Sequence, residues 1–321
     1  MGTEVRVAEA AGAWSAEFPL VGAGGEPVDL RRTIASHGLV DLPPMRPEPD
    51  ASALEITLPL AGGRPRVVRI AEASPGRATV TVAGRPPGER QARTLLAAVA
   101  HVLRLDEDLS RFYERAAGDP ALAWVVEGAG RLVRSPTVFE EVVKTICTTN
   151  CAWSGTERMV GALVEHLGEP AAGAPASGPY GRAFPTPTAM AAADESFYRD
   201  VARAGYRGAY LRSLADDVAS GELDLEELER VGRDDLPDDE VAARLLALPG
   251  VGPYAAAHVM MLLGRYSRLV LDSWTRPKYA TVNGRRAKDA TIERRFRRYG
   301  PYAGLAFWLL LTRDWVPEAE A

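Results

Sequence analysis

The chain is poor in cysteine, and this excludes structures that depend on thiols. Its 321 residues contain two cysteines, Cys147 and Cys151, so the chain alone provides neither a disulfide framework nor a four-thiolate cluster. The two lie one helical turn apart, and we interpret them as buried thiols rather than metal ligands. The C-terminal stretch LTRDWVPEAEA has no cysteine either. We therefore expect no iron–sulfur cofactor.

Long apolar runs are also missing. The first 20 residues carry acidic side chains and no stretch apolar enough for a signal peptide. No later stretch approaches the length of a membrane span. We expect no membrane partner and a cytoplasmic location, associated with the nucleoid.

An overall basic charge is the third absence, because the formal net charge is -5. This balance argues against nucleic acid as a partner, since release of counterions rewards basic surfaces. The charges are nevertheless segregated: residues 222–240 are strongly acidic, and residues 265–298 are strongly basic. Each run is either a solvated face or a contact surface.

The sequence divides into a β-rich part and a helical part. Residues 53–60, 66–73 and 77–84 alternate apolar and polar side chains, which predicts antiparallel strands with one buried face. From about residue 93 onward the apolar spacing is helical, and Ser135 with Pro136 predicts one helix start. We predict an α+β fold, with an N-terminal α+β domain at 1–92 and an all-helical domain at 93–321. His37 and His101 have no partner at ligand spacing, so we interpret them as ordinary histidines.

The stretch LPGVG, residues 248–252, is the most informative turn in the helical part. Gly250 and Gly252 permit positive φ and close approach, and Pro253 suits the first position of the next helix. Backbone N–H groups at such a turn can bind a phosphate. The alternative is a simple connection between two helices.

A carboxylate follows this second helix. Asp272 comes directly after the apolar run LVL, which predicts partial desolvation. Asp272 could equally cap a short helix that begins at Ser273. Both roles remain open from the residues alone.

The turn and the carboxylate together resemble the signature of the helix-hairpin-helix (HhH-GPD) DNA glycosylases, in particular their 3-methyladenine and 8-oxoguanine branch. The resemblance implies a mostly helical two-lobed glycosylase domain, with its hairpin at 248–252, attached to a small N-terminal sheet. The matching segments are LPGVGPYAAAHV (248–259), LVLD (269–272), ICTTN (146–150), FPTPTAMAA (184–192), GYRGAYL (205–211) and YGPYAGLAFWLLLT (299–312).

Catalysis is implied for Asp272, which matches the aspartate that stabilises the developing charge on the sugar. Where the 8-oxoguanine enzymes carry a lysine that forms a Schiff base, this chain has Tyr254. Without an amine there we expect no covalent imine and no strand cleavage, and hence a monofunctional enzyme. Trapping of a covalent adduct would instead implicate Lys278 or Lys144.

The pocket for the damaged base is implied by the same match. Tyr254 occupies the position of an aromatic residue that stacks on the extruded base, and His258 lies one helical turn further on. The alternative for Tyr254 is a half-buried packing tyrosine. Trp153 either lines the pocket or packs in the core, and we favour the core.

The resemblance implies DNA contacts at three places: the ICTTN segment, the GYRGAYL segment and the hairpin. Asn150 matches an asparagine that enters the vacated space, and Tyr206 and Arg207 match a wedge and a contact to the opposite base. Gly155 replaces a family arginine that reads a cytosine partner, which argues against a pure 8-oxoguanine specificity. The remaining expected contacts are Pro249, Gly250, Val251, Gly252 and Trp274.

The resemblance also allows a monovalent cation, Na⁺ or K⁺, at the hairpin carbonyls of Leu248 and Val251; no other cofactor is expected. The expected partner is duplex DNA that contains a damaged base, bound by a monomer. We thus predict a monofunctional DNA glycosylase for an alkylated purine. The alternatives are a glycosylase for oxidised or otherwise modified bases and a lesion-binding protein without turnover.

Overall fold

The computed structural model describes residues 6–10, 13–60 and 62–316. Strands occupy the N-terminal part of these ranges and helices most of the rest. The strands are β1 (Arg6–Ala10), β2 (Ala13–Pro19), β3 (Met45–Pro47), β4 (Ala53–Leu60), β5 (Gly63–Ser74) and β6 (Arg77–Val82). The helices are α1 (Leu30–Ile34), α2 (Glu89–Val102), α3 (Ser110–Ala117), α4 (Val138–Thr148), α5 (Trp153–Leu167), α6 (Pro187–Ala192), α7 (Arg207–Ser220), α8 (Glu227–Arg230), α9 (Asp238–Leu246), α10 (Pro253–Leu262), α11 (Thr275–Asn283), α12 (Asp289–Phe296) and α13 (Ala303–Thr312).

The six strands form one antiparallel sheet in the order β1-β2-β6-β5-β4-β3. The predicted α+β fold is therefore confirmed. In β6 buried and half-buried residues alternate strictly, as the sequence predicts. β4 differs, because Thr57 on its second face is buried as fully as Ile56 on its first. The main-chain N–H of Thr57 donates to Pro44 O, so the segment before β3 lies against this strand.

Two apolar cores organise the described residues. The first lies on one face of the sheet, where α1 and α2 supply Leu30, Leu95 and Val99. The second is shared by the helices from α3 to α13. Helix α2, whose apolar spacing starts the helical part of the sequence, thus packs into the core of the sheet.

The helix predicted to start at Ser135 and Pro136 begins later. Thr137 is its N-cap, with the hydroxyl of Thr137 accepting a hydrogen bond from the N–H of Glu140. The N–H of Ser135 is instead bonded to the carboxylate of Glu141. Within the described ranges no helix is both long enough and apolar enough to cross a bilayer.

The segment Ser36–His37 joins the two cores through three buried hydrogen bonds. The hydroxyl of Ser36 accepts from Val133 N at 3.0 Å, and the carbonyl of Ser36 accepts from Trp308 Nε1 at 2.8 Å. The imidazole of His37 lies 2.6 Å from Val133 O through Nε2. These bonds fix the side chain of His37 at the boundary between the sheet part and the helical part.

Candidate active site and nucleic-acid interface

The turn between α9 and α10 has the geometry of a tight hairpin. Gly250 adopts φ +84°, and a Cβ atom there would lie 2.8 Å from Cδ2 of Tyr210. Gly252 is extended, with φ -96° and ψ -177°, and caps α10, while Pro253 begins the helix. Only the first glycine therefore uses the positive φ that the sequence allows at both. The second leaves open space, since a Cβ at Gly252 would meet no atom within 4 Å.

Other hairpin residues differ in what they present to solvent. Pro249 is exposed and Gly252 is half-buried, whereas the side chain of Val251 is buried. The carbonyl of Leu248 accepts from Val251 N at 3.1 Å. A carbonyl oxygen has two lone pairs, so this bond leaves one for the expected cation, which stays a prediction.

Asp272 caps α11. Its Oδ1 accepts from the N–H groups of Trp274 at 2.9 Å and Thr275 at 2.6 Å. In return, the N–H of Asp272 donates to Thr275 Oγ1 at 2.8 Å. One carboxylate oxygen thus holds the helix N-terminus, where the peptide dipoles favour a negative charge.

The same carboxylate lies close to Tyr254 and His258. Burial, and to a smaller extent the charge of Asp272, raises the pKa of Tyr254. Burial lowers the pKa of His258 to about 4, although the charge of Asp272 opposes this shift. The imidazole of His258 is therefore neutral at pH 7. The hydroxyl of Tyr254 lies 3.4 Å from Thr148 Oγ1, at the end of α4.

A group of aromatic rings lies near this carboxylate. We call Tyr254, His258, Trp274, Trp308 and Trp315 the aromatic cluster. The ring centroids of Tyr254 and His258 are 5.8 Å apart, and those of His258 and Trp308 are 6.2 Å apart. Trp274 lies 5.6 Å from Trp308 and 5.5 Å from Trp315. Trp274 and Trp315 are 39% and 37% exposed, so the cluster has one side open to a ligand and one side buried.

His37 belongs beside this cluster, although sequence reasoning interprets it as an ordinary histidine. Its ring centroid is 6.2 Å from that of His258, with the two ring planes at 89°. Burial, and then the charge on His258, lowers the pKa of His37 to about 3. Since the two histidines come from different parts of the chain, no local pattern could have paired them.

Trp153 is exposed, so the expectation that it packs in the core is wrong. It is 40% exposed at the first position of α5. Its indole approaches Gly38, where a Cβ would lie 3.5 Å from Cη2 of the ring. Trp153 therefore lies near the residue that follows His37 in the chain. Cys147 is buried as expected, but Cys151 is exposed, because the loop after α4 turns outward.

The loop after α4 and the start of α7 come together. Asn150 is exposed at φ +46°, and Tyr206 is 53% exposed. Arg207 is buried, and its guanidinium donates to the carbonyls of Thr149 and Asn150 at 3.0 Å while lying 4.5 Å from the ring of Tyr206. In this arrangement Arg207 holds the loop in place. Asn150 and Tyr206 are the side chains that this region presents to solvent.

Lysine is rare, and within the described ranges no lysine forms an ion pair or hydrogen bond with Asp272. The chain contains Lys144, Lys278 and Lys288. Lys144 is buried and its Nζ is 2.6 Å from the carboxylate of Glu140. Lys278 is 2.6 Å from Asp314, and Lys288 precedes α12, beyond the far end of α11.

The acidic and basic runs face one another in part. Arg265 and Arg268 lie 3.0 Å from Asp238 and Asp239 respectively, which neutralises two basic residues. Farther along the basic run the side chains between α11 and α12 are exposed. These are Arg285, Arg286 and Lys288.

Solved structures show what this fold is similar to, whereas no family model and no curated protein matches the chain. MBOgg1, solved with a low-affinity DNA ligand, is 19% identical over 98% of this chain and 100% of its own, with a TM-score of 0.70. The 3-methyladenine DNA glycosylase from Archaeoglobus fulgidus is 21% identical over 94% and 99%, with a TM-score of 0.69.

The 8-oxoguanine glycosylase/lyase from Clostridium acetobutylicum, solved with duplex DNA carrying cytosine opposite 8-oxoguanine, is 19% identical over 98% and 99%, with a TM-score of 0.71. These matches extend over nearly the whole of each chain, and they therefore include the N-terminal sheet as well as the helices. The chain thus has the fold of the helix-hairpin-helix DNA glycosylases, and the resemblance expected from its hairpin and aspartate is confirmed at the level of the fold.

Proposed function

We propose that this protein is a monofunctional DNA glycosylase that extrudes a damaged base, an alkylated purine, from duplex DNA and hydrolyses its N-glycosidic bond. One observation carries the proposal. A half-buried carboxylate, Asp272, stands against an aromatic cluster with no lysine beside it. An anion and stacking surfaces serve base excision, whereas a simple binding module would have no use for this combination.

The reaction follows from these groups. As the N-glycosidic bond breaks, the base leaves with the bonding electron pair and C1′ of the sugar becomes positively charged. Oδ1 of Asp272 is held by α11, which preorganises the carboxylate to stabilise that charge. Water then attacks C1′ and gives its proton to the carboxylate. The product is an abasic site, and no covalent bond to the protein forms.

Duplex binding is assigned to the exposed residues around the end of α4. The hairpin would bind a phosphate through backbone N–H groups, and the open space at Gly252 allows close approach. Tyr206 and Asn150 project from the same region and would fill the gap left by the extruded nucleotide. The extruded base would then stack on Tyr254 and Trp274.

An alkylated purine suits this pocket because many such bases carry a positive charge in the nucleotide. Aromatic faces attract a cation. Burial keeps His37 and His258 neutral at pH 7, so neither histidine adds a positive charge that would oppose the base. The neighbours of this fold act on both alkylated and oxidised bases, and an oxidised base is accordingly the second candidate.

The deciding experiment is excision from duplex oligonucleotides that each carry one modified base: 3-methyladenine, 7-methylguanine, hypoxanthine, 8-oxoguanine or uracil. Alkaline heating after incubation would reveal abasic sites as strand breaks. We expect breaks with an alkylated purine, none without alkali, and no adduct after borohydride treatment. Breaks with 8-oxoguanine alone would favour the second candidate. Tight binding to the lesion duplexes without any break would favour a binding protein.

A further inference from the structure

The imidazole of His37 has a defined tautomer. Its Nε2 lies 2.6 Å from Val133 O, and a carbonyl oxygen can only accept a hydrogen bond. Nε2 therefore carries the hydrogen, and Nδ1 of the neutral ring is a bare acceptor. Nδ1 is buried, and among the described residues it has no hydrogen-bond partner.

His258 has two ring nitrogens that form no hydrogen bond among the described residues. Both its Nδ1 and its Nε2 are buried and have no partner in the described part of the chain. A neutral imidazole offers one donor and one acceptor. Together with His37, the pair therefore presents two acceptors and one donor. Buried polar groups are costly to leave unpaired, so three such nitrogens on two rings whose centroids are 6.2 Å apart indicate a place for a polar ligand.

A cleft of about 420 Å³ reaches His37 and Trp315, and its volume lies within the range of small-molecule sites, about 300–1,000 Å³. The cleft is lined by the carboxylates of Asp41 and Glu48 and by no arginine or lysine. Its surroundings therefore favour N–H groups over phosphates. Trp315 also belongs to the aromatic cluster, and its ring centroid lies 5.5 Å from that of Trp274. His258 is not in the lining of the cleft, and its ring centroid lies 6.2 Å from that of His37.

We propose that His37 and His258 together read the exocyclic amino group of an adenine-type base, which makes His37 a specificity-determining residue for the proposed glycosylase. An amino group supplies two N–H donors, which match the two acceptors of the pair. An adjacent ring nitrogen of the base can accept from the N–H of His258. The inference rests on the proposed function, because it names which purine the pocket takes.

Hypoxanthine is the informative comparison. It differs from adenine in carrying a carbonyl oxygen where adenine has the amino group and a hydrogen on N1 where adenine has an acceptor, with nearly the same shape. That oxygen would place an acceptor against Nδ1 of His37. His37 cannot switch tautomer without losing its bond to Val133. An acceptor left unpaired in this way weakens binding about 10-fold to 100-fold.

Two substitutions separate the two nitrogens of the ring. His37→Asn keeps an acceptor near the position of Nδ1, through its amide oxygen, and removes the donor to Val133. His37→Gln keeps a donor near the position of Nε2 and removes the acceptor. A purely structural role for His37 would make the second variant the milder one. The proposed role makes it the one that loses discrimination.

The experiment is binding of free adenine and free hypoxanthine, followed by quenching of tryptophan fluorescence, since three tryptophans lie in the aromatic cluster. We expect the wild type to bind adenine at least about tenfold more tightly than hypoxanthine. His37→Asn should keep that ratio, and His37→Gln should bring it to within about twofold. Thermal unfolding of both variants checks that they fold.

Equal binding of the two bases by the wild type would overturn the inference without any variant. A wild-type ratio in His37→Gln would overturn it as well. Failure of the glycosylase proposal looks different: no base would be excised from any duplex, while discrimination between free adenine and free hypoxanthine would persist. Excision of 3-methyladenine together with equal binding of the free bases would keep the enzyme and reject the histidine pair.

Discussion

Asp272→Asn separates the two roles of this residue. In the structure Oδ1 of Asp272 caps α11 through the N–H groups of Trp274 and Thr275. Asparagine is as good an N-cap as aspartate, so the substitution keeps the cap and removes only the negative charge. We expect the free energy of unfolding to change by less than about 0.5 kcal/mol.

The effect on excision should be large. An anion about 3.5 Å from a unit positive charge, at an effective dielectric constant of about 20, stabilises that charge by about 5 kcal/mol. Loss of this stabilisation slows the chemical step by about 10³-fold to 10⁴-fold. The aromatic cluster and the hairpin are untouched, so affinity for the lesion duplex should stay within about threefold.

The assay is single-turnover excision of 3-methyladenine, with duplex affinity and thermal unfolding measured on the same preparations. Asp272→Ala is the matched control, because it removes both the charge and the cap and should also cost about 1 kcal/mol of stability. An Asp272→Asn protein that excises within tenfold of the wild-type rate would refute the catalytic assignment. Equal stability losses in the two variants would refute the assignment of Oδ1 to the cap.

Three further outcomes are expected. Gly250→Ala should destabilise the protein by about 1–3 kcal/mol and weaken duplex binding, because φ is +84° and the methyl group would lie 2.8 Å from a tyrosine ring on α7. Gly252 is extended and faces open space, so Gly252→Ala should unfold like the wild type. A larger loss of stability in Gly252→Ala than in Gly250→Ala would contradict this interpretation. Tyr206→Ala should leave stability unchanged and weaken lesion binding by about 1–3 kcal/mol through lost stacking, which titration of a lesion duplex measures. Burial lowers the pKa values of His37 and His258 from 6.5 to about 3 and about 4. As the pH falls, the unfolded chain therefore binds protons before the folded chain does. The free energy of unfolding should decrease between about pH 6.5 and pH 4, by about 1.4 kcal/mol per pH unit for each histidine. Melting curves at pH 7 and pH 5 would show a smaller loss when both imidazoles are replaced, and an unchanged loss would speak against their being neutral.

Net charge by itself does not show which charged side chains a protein presents at its surface. The net charge of -5 argues against nucleic acid, but part of the acidic run is used inside the protein. Asp238 and Asp239 pair with Arg265 and Arg268 from the basic run. Which charges remain for a partner is decided by pairing across the fold, and a sum over residues contains no such information.

The hairpin and the carboxylate that follows it could be predicted from the sequence, because each depends on neighbouring residues. A glycine turn followed by proline has few backbone solutions, and the structure has Gly250 at positive φ and Pro253 at the first helical position. The strands were equally predictable, since apolar and polar side chains that alternate with a period of two match a β-strand and not a helix. Both roles left open for Asp272 are compatible, because each needs a different oxygen of the carboxylate.

Tertiary packing decided the remaining features. Arg207 matches a DNA contact in sequence, yet its guanidinium is buried on the carbonyls of Thr149 and Asn150. Trp153 looks like a core residue, yet it is exposed because the loop before α5 turns outward. In both cases the surroundings in the folded chain, and not the residue type, decide whether the side chain is buried or exposed.

The sequence by itself determined the strands of the sheet, the hairpin turn and the carboxylate that follows it, because each depends on residues close together in the chain. Only the tertiary structure could place His37 against His258, since their contact joins the sheet part to the helical part. It also set their charge, because burial, and not residue type, lowers both pKa values. The base specificity that we propose depends on this long-range contact, and the sequence alone left it open for that reason.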